Sequence, residues 1–204
     1  MRNTVVVGVL VIGLSAAVPA PAQVRLAPVV GVTLLEQKDT SLTHGALRDE
    51  VTSGRSLLAG GAVDLRFTDH DSLAFELVYG PYHNDVDRYC IVSITADQAC
   101  EPMTGLSVSH VLLYGMHYTH AFGQGGWRPY AGGGFGVKRV SFSEDYLETK
   151  ALPAISAAAG VESTSRTPVR VELRMLFMTG HPFLYDKNQI ELQARLSVLL
   201  GRRR

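Results

Sequence analysis

Three histidines, His110, His117 and His120, fall in the single stretch "SHVLLYGMHYTHAF", and a cluster of imidazoles is the first feature here that could hold a metal ion or move a proton. The stretch alternates like an extended strand, where successive side chains point to opposite faces. His117 and His120 then cannot share an ion, and no further ligand stands at zinc-like spacing. Ser109 and His110 are adjacent and so face opposite ways, which denies them a nucleophile and base geometry. The histidines therefore read as interface or lumen residues, with no metal and no cofactor implied. His110 and His120 share the apolar face, so an end of that strand is expected to leave apolar surroundings.

The other groups capable of acid and base chemistry are Asp64, Arg66, Glu76, Arg170, Glu172, Arg174, Glu191 and Arg195. Four acids and four bases, each at alternate positions of an apolar stretch, suit mutual pairing in an enclosed space better than catalysis. Cys90 and Cys100 are the only cysteines. In an exported chain such a close pair is most simply a disulfide closing a short loop.

Eight strands must position these groups: Arg25 to Leu35, Ser56 to Phe67, Ser72 to Tyr79, Gly105 to Phe122, Trp127 to Phe142, Lys150 to Glu162, Pro168 to Phe177 and Gln189 to Leu200. Period-two alternation recurs through all of them. Strands two and three, four and five, and six and seven are joined by "TDHD", "GQGG" and "STSRT", which are tight-turn sequences. The remaining connections are longer, so the short turns gather at one end and the long loops at the other. Each strand carries one continuous apolar face, such as Val169, Val171, Leu173, Met175 and Phe177, against a mixed face, such as Arg170, Glu172 and Arg174.

A soluble barrel with its apolar face inside and a membrane barrel with that face toward lipid both produce this pattern. The mixed face decides between them. A solvated face would be rich in lysine, yet Lys38, Lys138, Lys150 and Lys187 are the only lysines, and they read as loop or strand-end residues. Phe67, Tyr79, Phe122 and Phe177 lie near the ends of apolar faces, as interfacial girdles do. The reading is an all-β, eight-stranded, antiparallel, up-and-down transmembrane barrel, its charges in the lumen. An eight-stranded barrel is only wide enough to be filled by its own side chains, so no wide pore is expected. The runner-up is a soluble exported, lipocalin-like barrel holding an apolar ligand.

The 204 residues have 19 Lys+Arg against 19 Asp+Glu, which offers nothing to attract nucleic acid. At the start, Arg2, an apolar run from Val5 to Leu14 and Ala20-Pro21-Ala22 read as a signal peptide over 1–22, leaving a barrel domain over 23–204. The run is shorter than the roughly 20 residues of a transmembrane helix. In "RPYAGGGFGVKRVSF", alternation places Gly132, Gly134, Gly136 and Lys138 on the lumen face, and Ala158 and Gly160 of the next strand extend this bare wall. It reads as a hollow into which long charged side chains reach, and a place where the sheet curves.

The signal sequence, the eight alternating strands and Pro129-Tyr130-Ala131-Gly132-Gly133-Gly134 resemble the small outer-membrane β-barrels of Gram-negative envelopes. That group includes opacity proteins and the membrane domain of outer membrane protein A. The resemblance implies residence in the outer membrane, lipid as the immediate partner, and long outside loops that would meet any surface ligand or host partner. The ending "LSVLLGRRR" departs from the aromatic terminus usual in such barrels. Some relatives modify lipid A, but in "TGHPFLYDKN" His181 is followed by Pro182 and Phe183, so the serine of the deacylase type is missing. No amphipathic helix precedes the first strand, as a palmitoyltransferase type requires. The expectation is a protein that is not an enzyme.

Overall fold

The computed structural model describes residues 23–36, 41–44, 47–53, 56–90, 104–142, 149–180 and 188–201. The strands are β1 (Gln23–Glu36), β2 (Ser41–His44), β3 (Leu47–Ser53), β4 (Leu57–Arg66), β5 (Asp71–Cys90), β6 (Thr104–Ala121), β7 (Trp127–Phe142), β8 (Lys150–Ser163), β9 (Val169–Met178) and β10 (Gln189–Val198). Eight of them close a ring in the order β5, β4, β1, β10, β9, β8, β7, β6, with β6 pairing back onto β5. Every neighbouring pair is antiparallel, and β1 meets β10 to seal first strand against last. Closure matters because a sheet edge in hydrocarbon would leave backbone groups without partners.

Local chemistry sets the three tight turns. In the first, Phe67 N–H donates to the Asp71 carbonyl at 3.0 Å, and the Thr68 hydroxyl accepts from the Asp71 amide at 2.9 Å. The second turn uses Gly123 at φ 74°, a left-handed conformation that glycine adopts without steric cost. In the third, the Ser163 hydroxyl accepts from the Val169 amide at 2.9 Å. The start of β1 and the residues just after β10 meet at the same rim, where Leu26 and Leu200 exchange backbone hydrogen bonds of 2.7 Å.

Side chains sort by parity. Leu57, Ile155, Phe135 and Leu26 point outward and are 70, 68, 62 and 60% exposed, whereas Asp64, Lys138, Glu191 and Gln193 are 0 to 2% exposed inside. This is a water-soluble protein's polarity reversed, and it follows from strict alternation once the sheet closes around the charged face.

The extent of the sheet differs from the sequence expectation. The segment from Gly80 onward reads as loop, yet β5 continues to Cys90 and pairs with β6 as far as Thr104. Pro81, Asn84, Asp85 and Asp87 lower strand propensity there, but the ladders to β6 on one side and β3 on the other override it. The expected loop between the first two wall strands likewise contains β2 and β3, a hairpin laid along the outer half of β5. β7 reaches only to the partner of Ser109. A four-stranded sheet of β2, β3, β5 and β6 therefore continues past the barrel at the long-loop end. The proposed signal peptide lies outside the described residues. So does Cys100, and with it the expected disulfide to Cys90.

Candidate functional site

The barrel's chemistry is inside it, and it is built row by row from the strand registers. At the tight-turn end Arg25 and Asp64 face each other across β1 and β4, with an Nη2 to Oδ1 distance of 2.8 Å. Arg170 of β9 spans the lumen, 3.3 Å from Asp64 and 2.6 Å from Glu162 on β8. Glu162 also accepts from Arg128 at 3.0 Å and lies 3.6 Å from Arg25 and 3.9 Å from Arg66. Arg66 sits at the rim, donating to the carbonyls of Thr68 and Asp69.

The middle holds Glu76, Glu172, Arg174 and Arg195. Arg174 Nε donates to Glu172 at 2.7 Å and its Nη1 to Glu76, while Arg195 Nη1 reaches Glu76 at 3.0 Å. Tyr130 ties the two layers together. Its hydroxyl donates to Glu172 at 2.9 Å, and the Arg170 guanidinium lies 4.9 Å from its ring centroid. Arg195 Nε donates to Gln193 at 2.7 Å, leading toward the loop end, where Lys138 Nζ meets Glu191 at 2.6 Å. Glu191 also accepts from Thr33 at 3.1 Å and from Gln193. Around this pair the lumen is capped by apolar side chains: Leu113, Leu152, Ala154, Leu176 and Met178 on one side, Val29, Leu58 and Val78 on the other.

All eight charged residues expected in the lumen lie there, Arg66 at its edge. Sequence reading missed Arg25, Arg128 and Glu162, although alternation with the outward Val24 and Leu26 marks Arg25 as inward, and parity with Tyr130 and Gly160 does the same for Arg128 and Glu162. Lys138, read as near a strand end but on the lumen face, does face the lumen, and it is only 1% exposed.

The small-residue wall is filled differently from the expectation. A Cβ on Gly132 or Gly134 would lie 2.9 Å from an atom of the His117 ring, so the imidazole, and no charged chain, occupies that hollow. His117 Nδ1 in turn pairs with the Ser156 hydroxyl at 3.2 Å. Gly136 stands directly opposite Gly115 on β6, and Gly160 lies beneath the Tyr130 ring, whose hydroxyl would be 2.8 Å from an added Cβ. Ala158, paired in register with Arg174, and Gly160, paired with Glu172, do have charged neighbours on β9.

The other two histidines of the stretch sit outside, near opposite ends of β6. His110 stacks on Tyr79 at 5.6 Å and shares a 2.7 Å hydrogen bond with its hydroxyl. His120 is 2.8 Å from Asp71, which also takes hydrogen bonds from Thr68 and Tyr118. The hydrogen bonds from His120, Thr68 and Tyr118 hold the Asp71 carboxyl well below the usual carboxylate range. Among the described residues no three His, Cys, Asp or Glu side chains converge as metal ligands. Cavities lined by described residues include one of about 30 Å³ between Asp64, Glu76, His117 and Arg195, the size of one or two waters.

The structure of Neisserial surface protein A superimposes on this chain with a TM-score of 0.53 at 14% identity, covering 87% of this chain and 97% of that one. The fold is that of the small outer-membrane β-barrels. Two barrels from Pseudomonas aeruginosa also align, OprG at a TM-score of 0.48, 12% identity and 88 and 93% coverage, and the N-terminal domain of OprF at 0.46, 15% and 86 and 97%. No family model matches the sequence, and no curated protein is similar to it. At such identities the likeness concerns the fold alone.

Proposed function

We propose that the chain is an integral outer-membrane protein whose lumen is a structural plug, and whose role is exerted through the sheet and loops standing beyond the barrel at the long-loop end. One observation carries this reading: three groups of ion pairs, linked by hydrogen bonds of Tyr130 and Gln193, run the length of the lumen from Arg25 to Glu191 while large apolar side chains are exposed outside. An outward apolar band suits lipid, and a desolvated, mutually paired interior suits a wall that needs filling more than a path for solutes. Function then falls to the part outside that band, where β2, β3, β5 and β6 present a platform to surface ligands. Catalysis forms no part of the reading, and expression of the protein leaves the mass of lipid A unchanged.

Fractionation and surface proteolysis test it. The protein is expected in the envelope pellet, migrating faster on gels before boiling than after, with external protease cutting within 91–103 in intact cells. Recovery in the soluble periplasm refutes the membrane assignment. Protection of that segment in intact cells, with cleavage only after lysis, refutes the surface role.

A further inference from the structure

Charges in the lumen are matched in its middle and at its loop end, and unmatched at the end closed by the tight turns. Arg174 and Arg195 face Glu76 and Glu172, and Lys138 faces Glu191. At the turn end four guanidiniums, those of Arg25, Arg66, Arg128 and Arg170, share the two carboxylates of Asp64 and Glu162. The next carboxylates do not make up the difference. Asp69 is 3.9 Å from Arg66 but its side chain is 96% exposed, and Asp71 is engaged on the outer side by His120 and Tyr118. The sequence has no acidic residue before Glu36 or after Glu191, and the other two turns, 122–126 and 164–168, have none. The carbonyls of Thr68 and Asp69 accept from Arg66 and Arg128, which satisfies donors without neutralising charge.

A small cavity, about 10 Å³, opens among these groups, lined by all four arginines together with Ser72, Thr119 and Glu162; Asp69 and Asp71 also border it, the first with its side chain 96% exposed and the second turned to His120 and Tyr118. Two donors of the lining arginines, Arg128 Nε and Arg170 Nε, belong to residues only 7 and 8% exposed and have no hydrogen-bond acceptor among the described residues. Excess positive charge in a water-poor mouth is unfavourable unless a counterion joins it. Guanidiniums, planar and weakly hydrated, are the groups best suited to hold one.

We propose that the tight-turn end of the lumen is a binding site for a small anion held by Arg66, Arg128 and Arg170. The cavity is about the size of one water and too small to enclose chloride, so a halide sits in the mouth beside Arg66, and an oxyanion such as phosphate reaches the cavity with one oxygen.

The test uses the full mature barrel refolded in nonionic micelles, with sodium gluconate holding ionic strength constant and also titrated alone as a control anion. Chloride and inorganic phosphate are titrated separately, following the thermal midpoint and the arginine Nε–Hε resonances by NMR. A saturable rise of several degrees is expected for at least one anion, with resonance shifts saturating at the same concentration; the order of affinity tells halide from oxyanion. Arg66→Gln, at the rim, weakens the affinity at least tenfold. Ser72→Glu supplies an internal carboxylate, raises the midpoint in gluconate and abolishes the titration. The proposal is overturned if neither anion gives a saturable response in the wild type, or if Arg66→Gln responds as the wild type does. Should Ser72→Glu fail to fold, the wild-type titration and Arg66→Gln decide the matter alone.

Discussion

Replacing Lys138 by Met is the cleanest way to ask whether the lumen is desolvated. The ammonium and its partner carboxylate on Glu191 are 2.6 Å apart, and each side chain is 2% exposed. The substitution keeps an unbranched chain of similar length in the slot among Leu113, Leu152 and Leu176. It leaves Glu191 with hydrogen bonds from Thr33 and Gln193 and no positive charge beside it. Breaking a buried pair from one side costs about 3–5 kcal/mol, because the surviving charge has lost its solvent and its partner together. With a urea dependence of about 2 kcal/mol per molar, that moves the unfolding midpoint by about 2 M. The single tryptophan, Trp127, 58% exposed at the far end of the same strand, reports the transition by fluorescence. Adding Glu191→Gln to Lys138→Met removes the stranded charge and is expected to recover at least about 2 kcal/mol. A loss under about 1 kcal/mol for the single variant, or a double variant no better than the single, refutes the picture of a dry, ion-paired plug.

Other parts of the structure make separate predictions. Alanine at Gly134 places a Cβ 2.1 Å from the Met116 carbonyl and blocks assembly, seen as loss of the fast-migrating unboiled band, whereas alanine at Gly61, whose nearest contact is 3.7 Å, is tolerated. Arg174→Met strands Glu172 and half of the Glu76 pairing, so heat resistance in detergent falls while conductance across planar bilayers stays near zero; a large, stable conductance of the unmutated protein contradicts the plug. Because its carboxyl is held below the ordinary range, Asp71 contributes stability that is fully present above about pH 4 and fades as pH falls through its folded value. The difference between wild type and Asp71→Asn in urea midpoint is therefore expected to shrink as pH falls below 5; a difference that grows over that range contradicts the assignment.

Strand identity and facing were legible because lipid on one side and charge on the other enforce alternation, and alternation survives in a single sequence. Asp64, Glu172 and Arg195 could each be placed inward from two neighbours along the chain. What could not be read was pairing across the lumen. Nothing in the local pattern says that Arg170 on β9 meets Asp64 on β4, since that depends on closure and register. The outer half of β5 was hidden for a different reason. Its sequence, YHNDVDRYC, shows no alternation of apolar and polar residues, so neither periodicity nor propensity marks it, and only the partner strands make it a strand. The apolar cap of Val29, Leu58 and Val78 was illegible too, because apolar residues inside an inside-out barrel carry the signature assigned to its exterior.

The glycine stretch and the charged strands are two views of one constraint. Strand number fixes the width of an eight-stranded barrel, so each layer holds a nearly constant side-chain volume, and a large residue on one strand demands a small one nearby. The registers show the exchange. Tyr130 lies opposite Gly160, His117 opposite Gly134 and Arg174 opposite Ala158. Where two small residues face each other, as at Gly115 and Gly136, a small gap of about 10 Å³ is left, bordered by Glu76, Arg174 and Leu176. Glycine is required here at every level by what lies across from it, so substitutions in this wall are expected to rescue one another across strands. Gly160→Ala, which fails against Tyr130 alone, is expected to be accommodated no better by Tyr130→Phe, which keeps the ring, than by the wild type. Tyr130→Leu is expected to restore space for it, though the Val171 carbonyl 2.1 Å away still limits the recovery. Full recovery with Phe would mean that the hydroxyl's hydrogen bond to Glu172, and no shortage of volume, makes glycine necessary at that position.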